Sequence, residues 1–193
     1  MSHGTHYSSK IRPTQERVKQ ALSYDPETGV FRWIEKRRGR MYLSEAGHID
    51  KSTGYRTISL DDRSYYAAKL AWLYMFGEYP ECIIDHINRI KDDDRLCNLR
   101  EATYSQNGAN SGMRVNNTSG TKGVYFSESR KAKGWAPWWA YITYEKKRVS
   151  LGYFHSKENA IAARLTAESE FFGDFSGYSN TVLKNSSVNT ISL

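Results

Sequence analysis

Apolar residues recur along this chain with two periods, and the switches between them mark its elements. Behind Thr14, an N-cap candidate, Val18, Ala21 and Leu22 share one face of a short helix. The turn cluster YDPETG separates this helix from a strand-like run, VFRWI, and KRRGR at 36–40 reads as an exposed basic loop. GHIDKSTGYRTISLDDRSYY then reads as strand, turn, strand, turn, with Gly54 and Asp61-Asp62 as punctuation. AAKLAWLYMFG changes to helical spacing and offers Leu70, Leu73, Tyr74 and Phe76 to a core. CIID and LREAT are short strands on either side of an acidic loop. TYSQ has the form of a capping box, with Thr103 as N-cap and Gln106 as N3, and opens a helix that carries Asn107.

NSGMRVNNTSGTKG has linker composition. After it come three strand-like runs, KGVYFS, WWAYITY and KRVSLGYF, and an alanine-rich helix capped by Ser156 and ended by Gly173. Alternation puts Trp138, Ala140 and Ile142 on one sheet face and Trp139, Tyr141 and Thr143 on the other. The helix stripe Ala160, Ala163, Ala167 and Phe171, with Ile161, Leu165 and Phe172 beside it, covers the first of these faces. The open face carries Lys122, Tyr125, Trp139, Tyr141, Thr143, Arg148 and Ser150. The expectation is an α+β chain with a tail at 1–12, a first domain at 13–112, a linker at 113–119, a second domain at 120–180 and a tail at 181–193.

Composition narrows the classes of function. The chain is 39% hydrophobic and 13% aromatic, enough for a packed core, and holds no apolar run that could span a bilayer. MSHGTHYSSK lacks the apolar stretch of a secretion signal, and Cys82 and Cys97 form no C-x-x-C, so the expectation is a cytoplasmic protein with reduced thiols. The net charge is +7, and residues 113–193 hold 11 Lys and Arg against 6 Asp and Glu. A basic, aromatic-rich half is the footprint of a nucleic-acid binder.

The candidate chemistry lies in IIDHINRIKDDDRLCNLREATYSQN, residues 83–107. A strand ending in Asp85-His86, a loop, a strand and a capped helix would gather a carboxylate, an imidazole and the Asn107 carboxamide. Phosphodiester hydrolysis needs such a set. A hard cation such as Mg2+ takes one or two protein oxygens beside a phosphate, here from Asp85 and Asn107, and His86 can remove a proton from water. Taken alone, the Asp-His dipeptide carries no functional reading, Asn98 reads as an ordinary loop residue and the Asp92-Asp93-Asp94 run as a solvated charged turn.

DHINRIKDDDRLCNLR followed by SQN resembles the HNH endonucleases, particularly the phage and intron-encoded homing type, over residues 20–112. The resemblance implies a ββα-metal nuclease centre. His86 would be the general base, Asp85 and Asn107 the metal ligands, Asn110 a reserve ligand, and Asn98 the asparagine that braces the loop and orients the histidine. The implied cofactor is one divalent ion, Mg2+ or alternatively Mn2+. Asp94 stands where the family often has Asn, and Lys69 where relatives often have His.

GTKGVYF, WWAYI and RVSLGYF before an alanine-rich helix resemble the ethylene-response-factor (APETALA-two) DNA-binding domain over residues 118–176. That domain is a three-stranded antiparallel sheet packed on one helix. By similarity, DNA contacts fall at Lys122, Tyr125, Ser127, Tyr141, Thr143, Arg148 and Ser150, and Trp139 shares their face. The combined expectation is a DNA endonuclease acting on duplex DNA, in the host cytoplasm if phage-encoded, as a monomer, with a homodimer as the alternative. Two other readings stand beside it. One is a DNA-binding regulator with a silent nuclease unit; the other is an RNA binder that stacks bases on Trp135, Trp138 and Trp139.

Overall fold

A computed structural model describes residues 12–35, 42–113 and 117–176. The basic loop at 36–40 and most of both expected tails lie outside the described residues. The chain divides into two compact units. One comprises the residues up to His86 together with Ile90–Leu99; the other comprises Ile87–Arg89 together with the residues from Arg100 onward. The division falls at Leu99/Arg100, before the expected linker.

In the first unit, helix α1 (Gln15–Ala21) begins where Thr14 Oγ1 accepts a hydrogen bond from Arg17 N at 3.2 Å. Strands β1 (Leu22–Tyr24) and β2 (Phe31–Trp33) pair antiparallel, with Tyr24 opposite Phe31. Strands β3 (His48–Ile49), β4 (Arg56–Leu60) and β5 (Arg63–Tyr66) form an antiparallel sheet in the order β3-β4-β5. Asp61 and Asp62 make the two-residue β4–β5 turn, both at positive φ (49° and 58°), the backbone that matches strand twist. Helix α2 (Ala67–Phe76) ends at Gly77, whose φ of 84° lets its N–H reach Leu73 O. Leu70 and Leu73 are buried with Leu22, Phe31, Ile58 and Leu60 in one core, each such side chain contributing about 1.5–3 kcal/mol. Phe76, expected in that core, is exposed. Strand β6 (Ile83–His86) follows. A single 3-10 turn, Leu96–Asn98, leads into β7 (Leu99–Ala102), and Leu99 belongs to the same core.

The second unit begins within β7. Helix α3 (Tyr104–Asn110) carries the expected capping box: Thr103 Oγ1 accepts from Gln106 N, and Gln106 Oε1 accepts from Thr103 N. Strands β8 (Val124–Phe126), β9 (Trp138–Tyr144) and β10 (Lys147–Phe154) form an antiparallel sheet with β9 in the middle. A short helix, α4 (Glu128–Ala132), lies between β8 and β9 and had no signal in the hydrophobic pattern. Helix α5 (Lys157–Phe172), capped by Ser156, packs on the sheet through Ala160 against Val124 and Ala140, and through Ala167 and Phe172 against Ile142. Ala109 of α3 sits in the second of these clusters. Helix α5 also buries Arg164 and Glu168, an ion pair at 2.8 Å. Among the described residues no helix is long and apolar enough to cross a membrane.

Candidate active site

Asp85 and His86 end β6 and are buried, at 4% and 5% exposure. His86 Nε2 lies 3.0 Å from Asp94 Oδ1, across a loop of seven intervening residues. With Asp94 ionised the carboxylate can only accept, so Nε2 donates to it. Burial pushes the Asp94 carboxyl above the ordinary carboxylate range, and the bond to His86 pulls it back. The second oxygen, Oδ2, is buried without a hydrogen-bond partner. An orphaned acceptor costs roughly 1–3 kcal/mol, so Asp94 is poorly explained as a residue kept for stability alone.

The loop that delivers Asp94 is fixed from outside. Tyr24 Oη donates to Asp94 O at 2.7 Å, and Leu96 N donates to Pro26 O at 3.0 Å. Gly29, at φ 74°, lets the β1–β2 turn approach this loop: a Cβ there would lie 2.5 Å from Arg95 N and Asp94 C. Burial and the charges of Asp94 and Asp25 push the Tyr24 phenol far up, so it remains a donor. Asn98 Nδ2 donates to Asp93 O at 2.7 Å, bracing the residue before Asp94. Asp93 in turn holds the Arg95 guanidinium through both carboxylate oxygens, at 2.7 and 2.6 Å. The ring of Tyr55 packs 5.7 Å from that of His86, and Lys91 Nζ lies 5.0 Å over Tyr55 while donating to Thr53 O. Burial raises the Tyr55 phenol, helped by the Asp85 charge.

Asn107 and Asn110 lie on α3, in the second unit. Asn107 is half-buried, whereas Asn110 is buried at 1% exposure. Among the described residues no three or more His, Cys, Asp or Glu side chains are grouped to hold a metal.

The open sheet face is a continuous aromatic surface. Tyr125 stands opposite Trp139, Tyr141 opposite Ser150, and Thr143 opposite Arg148. Tyr125 and Tyr141 stack at 5.8 Å, and Trp139 lies 4.8 Å from Tyr141 and 6.3 Å from Tyr153. Arg148 covers Tyr141 at 4.4 Å, and Arg130 covers Tyr153 at 3.7 Å. Trp139 Nε1 donates to Ser150 Oγ at 3.0 Å. Ser127 precedes α4 and shares a hydrogen bond with Ser129 at 3.1 Å. Tyr153 and Arg130 were missed in the sequence. A bulge between Ser150 and Gly152 brings Tyr153 opposite Trp139, and nothing local signals it.

The three tryptophans proposed as a stacking platform do not share a surface: Trp138 packs with the Val124–Ala140 cluster, on the face opposite Trp139. Lys122 also leaves the open face. Its Nζ donates to Gly108 O and Ala109 O, each at 2.9 Å, and to Ser111 Oγ at 3.1 Å. Burial lowers its ammonium to about 8, with Glu168 opposing the shift.

Residues 65–109 match a protein-family model described as HNH endonuclease. The match runs from β5 to α3 and covers fewer than half of the residues. No curated protein and no solved structure matches the chain. An HNH-endonuclease domain at residues 65–109 points to a nuclease, a phosphodiester hydrolase, and nucleases of this family act on DNA.

Proposed function

We propose that the chain is a metal-dependent DNA endonuclease of the HNH homing type, cutting at a specific duplex site. The observation that carries this reading is the buried His86–Asp94 pair within the matched residues. Asp94 holds Nε2–H, so Nδ1 is the nitrogen that takes the proton of the attacking water. Asn98 keeps the loop closed and so keeps Asp94 in place.

Asp85 and Asn107 are oxygen donors, and we assign them as ligands of one divalent ion. The donor chemistry fits Mg2+, with Mn2+ as a substitute, because such ions retain most of their water. When bound, the ion withdraws charge from the phosphate and the leaving oxygen. Asn107, half-buried on α3, is assigned ahead of Asn110. Asp85 and His86 are nearly closed to solvent, so cleavage includes a local opening as DNA arrives; the Tyr55 ring packs beside the imidazole and Lys91 lies over Tyr55.

The aromatic sheet face is assigned to duplex DNA, in the manner of the ethylene-response-factor domain. Arg148 supplies the cation, Tyr125, Trp139 and Tyr141 the contact area, and Ser127, Thr143 and Ser150 the polar groups. A monomer carries one centre and nicks one strand; a homodimer would cut both.

The burial of Asp85 and His86 favours one second reading, a DNA-binding regulator with a silent centre. Supercoiled plasmid incubated with the purified chain separates the two. With Mg2+ we expect open circles to accumulate, and none with EDTA. Retardation of DNA without nicking, in Mg2+ or Mn2+, would establish the regulator.

A further inference from the structure

We propose that Lys122 is a positioning residue of the cleavage centre rather than a DNA contact: it fastens the carboxyl end of α3 and thereby sets the place of Asn107. The inference rests on the nuclease reading above for its functional half only. Its structural half stands on the contacts of one unit.

Helix α3 is too short to hold itself. Its seven residues lie well below the length at which isolated helices are stable, so its place must come from packing. Contacts within the carboxy-terminal unit contribute to that packing. Ala109 packs with Ile142, Ala167 and Phe172. Ser105 Oγ accepts from Glu145 N, in the β9–β10 turn, at 3.1 Å. Arg100, at the entry to the helix, donates to Asp174 O at 2.9 Å and lies 3.9 Å over the Phe175 ring. Lys122 adds three hydrogen bonds at the carboxyl end of the helix.

Its ammonium takes the carbonyls of Gly108 and Ala109, two of the four that a helix leaves without partners at its end. A cation there also meets the negative end of the helix dipole. Ser111 Oγ bridges the same point, donating to Gly108 O at 2.7 Å while accepting from Lys122. Ser111 N closes the last helical turn on Asn107 O at 3.0 Å. The clamp therefore bears on the turn that begins at Asn107. A DNA phosphate would have to draw Lys122 away from three acceptors, which no contact on the sheet face requires.

The matched stretch ends at residue 109, yet its last helix is seated on α5 and on the sheet beyond. The carboxy-terminal unit therefore fixes α3, and with it Asn107.

The test compares full-length wild type, Lys122→Met, Lys122→Arg and Arg148→Ala on one duplex target. Three quantities are read: DNA affinity, nicking rate at saturating DNA, and amide exchange of α3 without DNA or metal. For Lys122→Met we expect affinity within about twofold of wild type, a nicking rate down roughly 10- to 100-fold, and faster exchange at residues 108–111. Lys122→Arg should recover much of the rate. Arg148→Ala should lose affinity. Should Lys122→Met fail to fold, Ser105→Ala removes a single α3 contact, and the same split, smaller in size, is expected. A Lys122→Met protein with wild-type rate and weakened affinity would overturn the inference and return Lys122 to the DNA contacts. Unchanged exchange in α3 would overturn it even if wild type proved unable to nick; that last result would count against the nuclease reading, not against the clamp.

Discussion

Replacing His86 with alanine is expected to lower the single-turnover nicking rate by about 10²–10⁴-fold while leaving DNA affinity nearly unchanged. The imidazole is the group assigned to take a proton from water in the proposed centre, and the aromatic face assigned to DNA belongs to the other unit. A second substitution guards against a trivial loss of fold. Alanine would leave the buried Asp94 carboxylate without its partner, and breaking a buried pair on one side costs on the order of 3–5 kcal/mol. His86→Gln keeps a donor for Asp94 but has no basic nitrogen, so it should be stably folded and as inactive as alanine. Gel-based nicking with thermal unfolding of each variant measures both. A His86→Gln protein that nicks at the wild-type rate would remove His86 from the mechanism.

The second large effect concerns Asp94. Asp94→Ala should slow nicking by about 10- to 100-fold, the range seen when the group behind a functional histidine is removed. Asp94→Asn should lose less than tenfold. Its amide oxygen accepts the same Nε2–H and holds the ring in the same orientation, which matters more than the charge if Asp94 acts by positioning. Single-turnover rates of the two variants decide this. Equal losses in both would mean that the carboxylate charge, not the orientation, is what His86 requires.

The features legible in the sequence are those that short-range chemistry decides. Thr14, the Thr103–Gln106 pair and Ser156 cap their helices because a cap needs only the next three residues. The Asp61-Asp62 turn and the alternation of Trp138 to Thr143 are local in the same sense. What the sequence hides depends on distant partners. His86 and Asp94 meet because Tyr24 and Gly29, more than sixty residues earlier, pin the acidic loop. Asp94 therefore looks like one of three solvated acids until the loop is closed. Lys122 looks like a strand-face cation, but it lies outside β8 and beyond the Gly123 kink at φ 69°, and it turns to α3. Arg164 and Glu168 have the spacing of an ordinary surface pair and are buried because the sheet lies over them. Phe76 fits a helical stripe by spacing and is left exposed at the helix end. In each case the period is right and the neighbour decides.

Crystals of the full chain with duplex DNA, soaked in Mn2+ and measured at the manganese absorption edge, would test the assigned centre most directly. The account predicts one anomalous peak bound by the Asp85 carboxylate and the Asn107 amide oxygen, beside a DNA phosphate and on the Nδ1 side of His86. A nicking-competent protein whose manganese lies away from Asp85, or that cuts DNA with no bound metal, would contradict it.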